Sequence, residues 1–521
     1  MAHYDVIIIG SGAGGATLAY ALADTGKSIL ILERGAILPV EADNWSSKAV
    51  FIDRKYRTRE QWIDKDGKPF IPNTHYWAGG NTSFYGAALM RMKKRDFEEV
   101  THAGGVSPAW PVSYADMAPW YQQAEQLWEV HGTRGVDPND QPDDPPFPYP
   151  AIAHDPGVVE LAAHFSAIGW HPSPLPLGIR RNDAAPATEP CIRCRTCGGY
   201  PCRVLGKVDA RSAVLNKAVA YPNVTLATGR KVLRIETDAT GKTATAVITT
   251  GLTGEDRITG DLIVTAAGAA NSAAIWLQSA SPQHPAGLAN GSDQVGRNYM
   301  FHATSAVIAL AADHFQSDFP KTLCVNDFYF GEPDGSYPYP MGQIQMLEYM
   351  SGATIEGQVS DWLPPSIVPD FIANAVAGRM VSFLAMSEDL PSADNRVTVG
   401  ADGQIHLSYT FGDLSAHNRL VQKLRAGING FVTAHHVLMG HHFSVDSLLP
   451  LYGTAHQCGT LRFGSDPATS VLDPWCKAHE VDNLYAVDSS FFVSSSAVNP
   501  TLTIVANALR VADHLKDRLR G

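Results

Sequence analysis

The sequence contains no apolar run that approaches the roughly 20 residues a membrane-spanning helix needs. It has no internal repeat and no low-complexity tract, which sets aside solenoids and disordered scaffolds. Positive charge is in short supply: 40 Lys and Arg against 52 Asp and Glu leave a net charge of −12. That balance argues against polyanionic partners such as nucleic acid. Seven cysteines, an odd number in 521 residues, do not suggest a secreted disulfide framework. No leader-like segment precedes the first apolar run, which Asp5 introduces, so the cytoplasm is the expected address. What is present is an ordinary globular balance, 45% hydrophobic and 18% charged. The length suffices for two or three domains around a large core.

The densest signal is at the start. Residues 6–9 are a short β-branched run and read as a buried parallel strand. Gly10-Ser11-Gly12-Ala13-Gly14-Gly15 follows at once, then an Ala/Leu-rich helical pattern to Asp24, closed by Gly26. Residues 28–32 read as a second buried strand, and Glu33 ends it. This is one βαβ unit with GxGxxG at its first turn. Gly10 permits the tight turn, Gly12 lets backbone approach a pyrophosphate, and Gly15 lets helix and strand pack closely. The helix start offers free N–H groups to the phosphate, and the acid about 20 residues on suits adenosine ribose hydroxyls. The motif predicts a bound dinucleotide without choosing between NAD and FAD.

Along the chain, residues 37–75 read as an irregular excursion over the nucleotide site. Gly79-Gly80-Asn81-Thr82 then offers paired glycines that let backbone lie against something flat. Residues 132–156, rich in Pro, Asp and Gly, predict a surface loop or a flexible lid over an entrance. Residues 158–167 and 210–220 predict helices, and 224–226 and 232–235 predict strands. A hairpin-like alternation spans 242–258. Residues 261–268 read as a separate buried strand, whose Ala267-Gly268 turn is a second place for backbone to approach a cofactor. From about 295 to 446 the alternation at 305–310, 343–347 and 396–399 predicts one antiparallel sheet with helices on one face. A helix over 415–436 is expected to return the chain to the nucleotide domain. His435, His436, His441 and His442 read as packing or pocket-lining residues rather than a metal cluster. His302 is expected where the chain leaves the nucleotide domain.

The last seventy residues carry the second signal. His456 stands three residues before Gly459, residues 484–488 read as a strand ending in Asp488, and Asn499-Pro500 opens a helix at Thr501. A neutral imidazole suits removal of a hydroxyl proton near neutral pH, and a fixed amide suits an oxygen gaining negative charge.

Together these stretches resemble the glucose–methanol–choline (GMC) flavoprotein oxidoreductases over nearly the whole chain. The resemblance implies FAD and a pair of catalytic side chains, here His456 from HxxG and Asn499 from the C-terminal motif. The His/Asn pair resembles the choline oxidase, cholesterol oxidase, cellobiose dehydrogenase and pyranose 2-oxidase branches. The wording of the tail is closer to bacterial members acting on sugars, glycosides or sugar acids. The expected cofactor contacts are Gly10, Ser11, Gly12, Ala13, Gly14, Gly15, Glu33, Arg34, Gly79, Gly80, Asn81, Thr82, Val232, Ala267, Gly268, Asp488, Asn499, Pro500 and Thr501. The FAD is expected to be non-covalent: where some relatives carry an attaching His after the double glycine, this chain has Phe84.

The fold expected is α/β: a Rossmann-type FAD domain from residues 1–98, 203–300 and 446–521, interleaved with an antiparallel substrate domain over 301–445. Residues 99–202 form a lid and cysteine region between them. Cys191, Cys194, Cys197 and Cys202, spaced C-x2-C-x2-C-x4-C, could wrap thiolates around one centre. Some dehydrogenases of the family carry an iron–sulfur cluster. The reading carried here is structural: four cysteines that lie together and pin the crossing back into the FAD domain, with no metal assigned. The function expected is oxidation of a secondary sugar or glycoside hydroxyl, with oxygen or another acceptor taking the electrons. The alternatives are a non-sugar alcohol, a flavin-retaining lyase or photodecarboxylase, and a non-enzymatic flavin binder.

Overall fold

The computed structural model describes residues 2–251, 254–311, 314–349, 377–434, 444–453 and 455–520. Its central sheet begins as the sequence dictates. Strand β1 (His3–Ile9) leads through Gly10 into helix α1 (Ala13–Leu22), and β2 (Ile29–Leu32) follows in parallel. Gly26 takes φ +72° and ends the helical segment. β3 (Val224–Ala227), β4 (Val232–Thr237), β5 (Ala244–Thr250) and β6 (Glu255–Thr265) complete a sheet of order β3-β2-β1-β6-β5-β4. The strand Leu484–Ala486 adds on in parallel to the far end of β6.

β6 corrects the sequence reading. The hairpin expected over 242–258 is present as β5 and the first half of β6, but its second arm runs on without a break into the buried strand expected at 261–268. Its first half pairs antiparallel with β5, and its second half pairs parallel with β1, Val6 opposite Leu262 and Ile9 opposite Thr265. Charged residues mark its exposed first half, and the apolar run 262–264 marks the half buried from both faces.

α1 needs its small residues. A Cβ on Gly14 would lie 2.1 Å from the Val487 carbonyl oxygen, and one on Gly15 would lie 2.1 Å from the Gly10 carbonyl oxygen. The long C-terminal helix Thr501–Arg520 packs against α1 through this narrow gap.

A second unit is an antiparallel sheet containing β7 (Ala303–Leu310), β8 (Gln343–Met346) and β9 (Met380–Ser387). Alternation along β7 sends Val307 and Ala309 to one core, where they join Leu420, Leu424 and Ile428 of the helix Ser415–Ala434. That helix therefore covers this antiparallel sheet rather than returning the chain to the first sheet. The expected strand at 396–399 is present, but it belongs to a separate small sheet. Its partners run through Ile405–Ser408 to Trp62–Asp64, so the excursion over 37–75 contains a hairpin as well as irregular turns. The histidines at 435, 436, 441 and 442 lie outside the described residues.

Residues 132–156 are not a lid. None of them lines the large cavity described below. Lys93 pairs with Asp137 at 2.5 Å, Arg91 with Asp144 at 3.0 Å, and Arg134 with Glu125 at 2.5 Å, all largely buried. The acids that made the segment look solvated are fastened to cations on the segments beneath it, and a buried pair is costly to break.

Candidate active site

One cavity of about 1450 Å3 runs from the glycine-rich turn to His456 and Asn499. At its first end Gly10 holds φ +105°, and a Cβ there would sit 2.3 Å from the Ala266 carbonyl oxygen. Gly12 caps α1 without any side-chain cap, and a Cβ on it would meet nothing within 4 Å. The first-turn N–H groups of α1 thus face open space with no internal partner, as a phosphate requires. Glu33 is buried beside them and accepts from the Ser11 hydroxyl at 2.6 Å and the Gly35 N–H at 2.8 Å. Arg34 pairs with Glu60 and lies over the Tyr76 ring at 3.6 Å.

The double-glycine loop closes over this turn. Gly79 and Gly80 take φ +97° and +59°, and a Cβ on Gly80 would be 3.3 Å from Gly12 Cα. Asn81 Oδ1 accepts from the His75 N–H at 2.8 Å, and Thr82 Oγ1 donates to the Gly79 carbonyl at 2.7 Å. Gly268 (φ +88°) opens the helix Ala269–Gln278, and a Cβ on it would meet nothing within 4 Å. Asp488 is buried and accepts from the N–H groups of Gly268 and Ser490, both at 2.9 Å. Burial pushes its carboxyl above the usual range although the bonds from Ser272 and Ser490 oppose the shift. Val232 and Ala267 complete this wall.

Of the expected cofactor residues, Gly15 and Gly79 do not line the cavity. Gly15 acts one layer behind, in the contact between helix and strand. Gly79 donates its N–H to Ser11 Oγ at 3.2 Å and sets the loop that carries Gly80.

At the other end, His456 faces the cavity, and burial pulls its imidazole down to about 4, so it is neutral at physiological pH. Asn499 Oδ1 is buried with no hydrogen-bond partner among the described residues, an unspent acceptor in the cavity wall. Pro500 precedes the C-terminal helix and its carbonyl accepts from the Ile504 N–H at 3.1 Å. The first-turn N–H groups beginning at Thr501 therefore also face the cavity side unpaired. Gly459 of HxxG holds φ +90°, and a Cβ there would strike the Asn298 carbonyl oxygen at 2.2 Å. The opposite wall comes from β7 to β9: Thr304, Ala306, Ile308, Gln345, Leu384 and Met386.

Two histidines escape a reading of the sequence. His302 Nδ1 lies 2.9 Å from His456 Nδ1 across 154 residues of chain, so it backs the cavity-lining His456 from one layer behind the wall. No local pattern announces it. His75 lines the cavity with its ring stacked on Phe84 at 3.9 Å, and burial, then the Arg57 charge, pulls it down to about 3.

The four cysteines carry free thiols, Cys191 and Cys197 buried and the other two half-buried. Lys207 binds the region together, its ammonium donating to the carbonyls of Cys197 at 3.0 Å and Tyr200 at 2.7 Å and its N–H to Cys202 Sγ at 3.4 Å. Burial pushes the Cys191 thiol up to about 11. Among the described residues no three His, Cys, Asp or Glu side chains are grouped so as to hold a metal ion, and no helix is long and apolar enough to cross a membrane.

The cavity accommodates FAD by these criteria: two open helix starts, glycines that leave room for it, and, at the reacting end, an Asn499 Oδ1 with no partner among the described residues. Comparisons with known proteins agree. A family model for FAD dependent oxidoreductases matches residues 5–288, and one for GMC oxidoreductases matches residues 422–508. The chain is 31% identical to 6'''-hydroxyparomomycin C oxidase of Streptomyces lividus, over 98% of this chain and 92% of that protein. It is 30% identical to paromamine 6'-oxidase of Streptomyces fradiae, over 98% and 90%. The fold matches the crystal structure of pyridoxine 4-oxidase from Mesorbium loti with a TM-score of 0.68 at 18% identity, covering 98% of this chain and 99% of that one. The chain belongs to the GMC oxidoreductase family, FAD-dependent enzymes acting on CH–OH donors.

Proposed function

We propose that this protein oxidises a hydroxyl group of a sugar or glycoside to a carbonyl, with His456 as base and Asn499 holding the reacting oxygen. The carrying observation is the single cavity that joins the glycine-rich turn to both side chains. Bound FAD supplies the hydride acceptor. His456 takes the hydroxyl proton, a role open to it because burial keeps it neutral. The Asn499 amide donates to the oxygen as alkoxide character grows. The walls from β7 to β9 exclude water and shape the substrate's fit. The FAD unit is read as residues 1–98, 203–300 and 446–521, the substrate unit as 301–445.

A secondary hydroxyl is the preferred target. A second reading, an exocyclic hydroxyl of an amino sugar, is favoured by the two 6-position oxidases above and by Glu348. That carboxylate lines the cavity half-buried with no hydrogen-bond or ion-pair partner among the described residues, a placement suited to a substrate ammonium. Anaerobic flavin bleaching by a panel of glycosides and amino sugars, followed by assays with oxygen and a dye acceptor, tests the activity and names the acceptor. Bleaching by none of them would defeat the proposal. The FAD is read as non-covalent, so acid precipitation should leave yellow flavin in the supernatant. Flavin in the pellet would point to His75, the imidazole beside the double-glycine loop, as the attachment site to examine.

A further inference from the structure

His302 has a geometry that fixes more than its own position. Met300 and Cys458 form an antiparallel bridge, with N–H to carbonyl distances of 3.0 and 2.9 Å. Stepping two residues outward along both chains brings position 302 opposite position 456, on the same side of the ribbon. The two rings meet there edge to face, centroids 4.9 Å apart and planes at 87°, with Nδ1 to Nδ1 at 2.9 Å. The other nitrogen of His302, Nε2, lies 3.2 Å from the Ser495 carbonyl oxygen. Ser495 is itself held, its hydroxyl accepting from the Asp389 N–H at 2.9 Å and donating to the Asp389 carbonyl at 3.1 Å.

A carbonyl oxygen can only accept, so Nε2 of His302 carries its proton. A neutral His302 then presents a lone pair at Nδ1. Two lone pairs cannot face one another at 2.9 Å, so Nδ1 of His456 must carry a proton and donate it. We propose that His302 is a positioning residue that locks His456 in the Nδ1–H tautomer and leaves Nε2 as its only basic atom.

The consequence is chemical. With the opposite tautomer His456 would present a donor to an incoming hydroxyl and could not take its proton. Loss of tautomer control in a catalytic imidazole costs orders of magnitude in rate while the geometry survives. His302 is the full complement of this pair: buried, it resists taking a second charge beside a protonated His456, so the transferred proton stays on His456.

The inference rests on the reading of His456 as base, and the test separates the two. Full-length, FAD-loaded protein labelled with 15N-histidine reports each ring's tautomer from its nitrogen shifts, with His456 and His302 assigned by their absence in His456→Ala and His302→Ala. The expected wild-type spectrum shows His456 with a protonated Nδ1 and an unprotonated Nε2. In His302→Ala the His456 signals should move to a mixture of tautomers. His302→Asn, which restores an acceptor on a short side chain, should recover the wild-type pattern. Flavin reduction by the substrate panel should fall about 30- to 100-fold in His302→Ala with KM changed less than about threefold, and recover at least partly in His302→Asn. A wild-type spectrum showing Nε2–H on His456 overturns the inference, as does a His456 tautomer unmoved in His302→Ala. If His302→Ala loses its flavin, the wild-type spectrum and His302→Asn still decide. Wild-type reduction in His456→Ala would overturn the assignment of the base while leaving the tautomer result standing.

Discussion

The two ends of the cavity are built on different principles. The nucleotide end is centred on one contiguous stretch, residues 4–35, with the 79–82 loop, the Ala267–Gly268 turn and Asp488 closing round it, and works largely through backbone: glycines in left-handed or crowded positions and a helix start without a side-chain cap. The reacting end is assembled from segments around His302, His456 and Asn499, and works through side chains. Backbone recognition needs small residues at fixed local spacings. Side-chain chemistry needs only that the fold bring the right groups together. The first end therefore tolerates almost no substitution, whereas the second should lose rate and keep its cofactor.

Gly10→Ala gives the largest expected effect. The new methyl meets the Ala266 carbonyl at 2.3 Å and the residue must hold φ +105°, a strain of about 1–3 kcal/mol before the clash is counted. Purified protein should carry no FAD by its absorption spectrum and melt at lower temperature. Full flavin content would remove the distinction between the two ends.

His456→Ala should retain FAD and lose roughly two to four orders of magnitude in flavin reduction, the size of a general-base contribution. Asn499→Ala should cost less, about two orders, as for one oxyanion donor. Loss of flavin from either variant would show that the reacting end also anchors the cofactor.

Acid should act on the reacting end before the nucleotide end. Burial depresses His456 from 6.5 to about 4. Its neutral form is favoured in the fold, so its contribution to stability is present above the unfolded value and is lost as pH falls from there towards the folded one. Flavin reduction should stay level down to about pH 5 and fall about tenfold per unit below about pH 4, as the base is protonated. A loss centred near 6.5 would mean that the imidazole is not desolvated.

The smallest effect expected is at Glu348. Glu348→Gln should raise KM for aminated sugars severalfold, by roughly 1 kcal/mol of lost charge pairing, and leave neutral glycosides unchanged. An equal change for both would make it a wall residue without charge selectivity.

The same contrast explains what the sequence reveals. The βαβ unit is legible because Gly10, Gly12 and Gly15 act within a few residues of one another. His456 and Asn499 are legible through family resemblance, and the structure brings both to one cavity. The pairing of His302 with His456 is invisible, since the two are 154 residues apart and the Met300–Cys458 bridge aligns them. The continuous β6 is misread because one strand changes partner and environment halfway along. The segment 132–156 is the surface loop its composition suggests, but the lid alternative fails because buried ion pairs, drawing on Arg91, Lys93 and Glu125 from elsewhere in the chain, staple it away from the cavity.

The Met300–Cys458 bridge also ties the start of β7 to the segment that carries His456. β7, β8 and β9 lie between its two halves along the chain, with the two imidazoles beside it, while the strand 396–399 pairs through 405–408 with Trp62–Asp64 and ties the same stretch back to the N-terminal part of the chain. A shift at the start of β7 would therefore be felt at His302 and, through it, at the base.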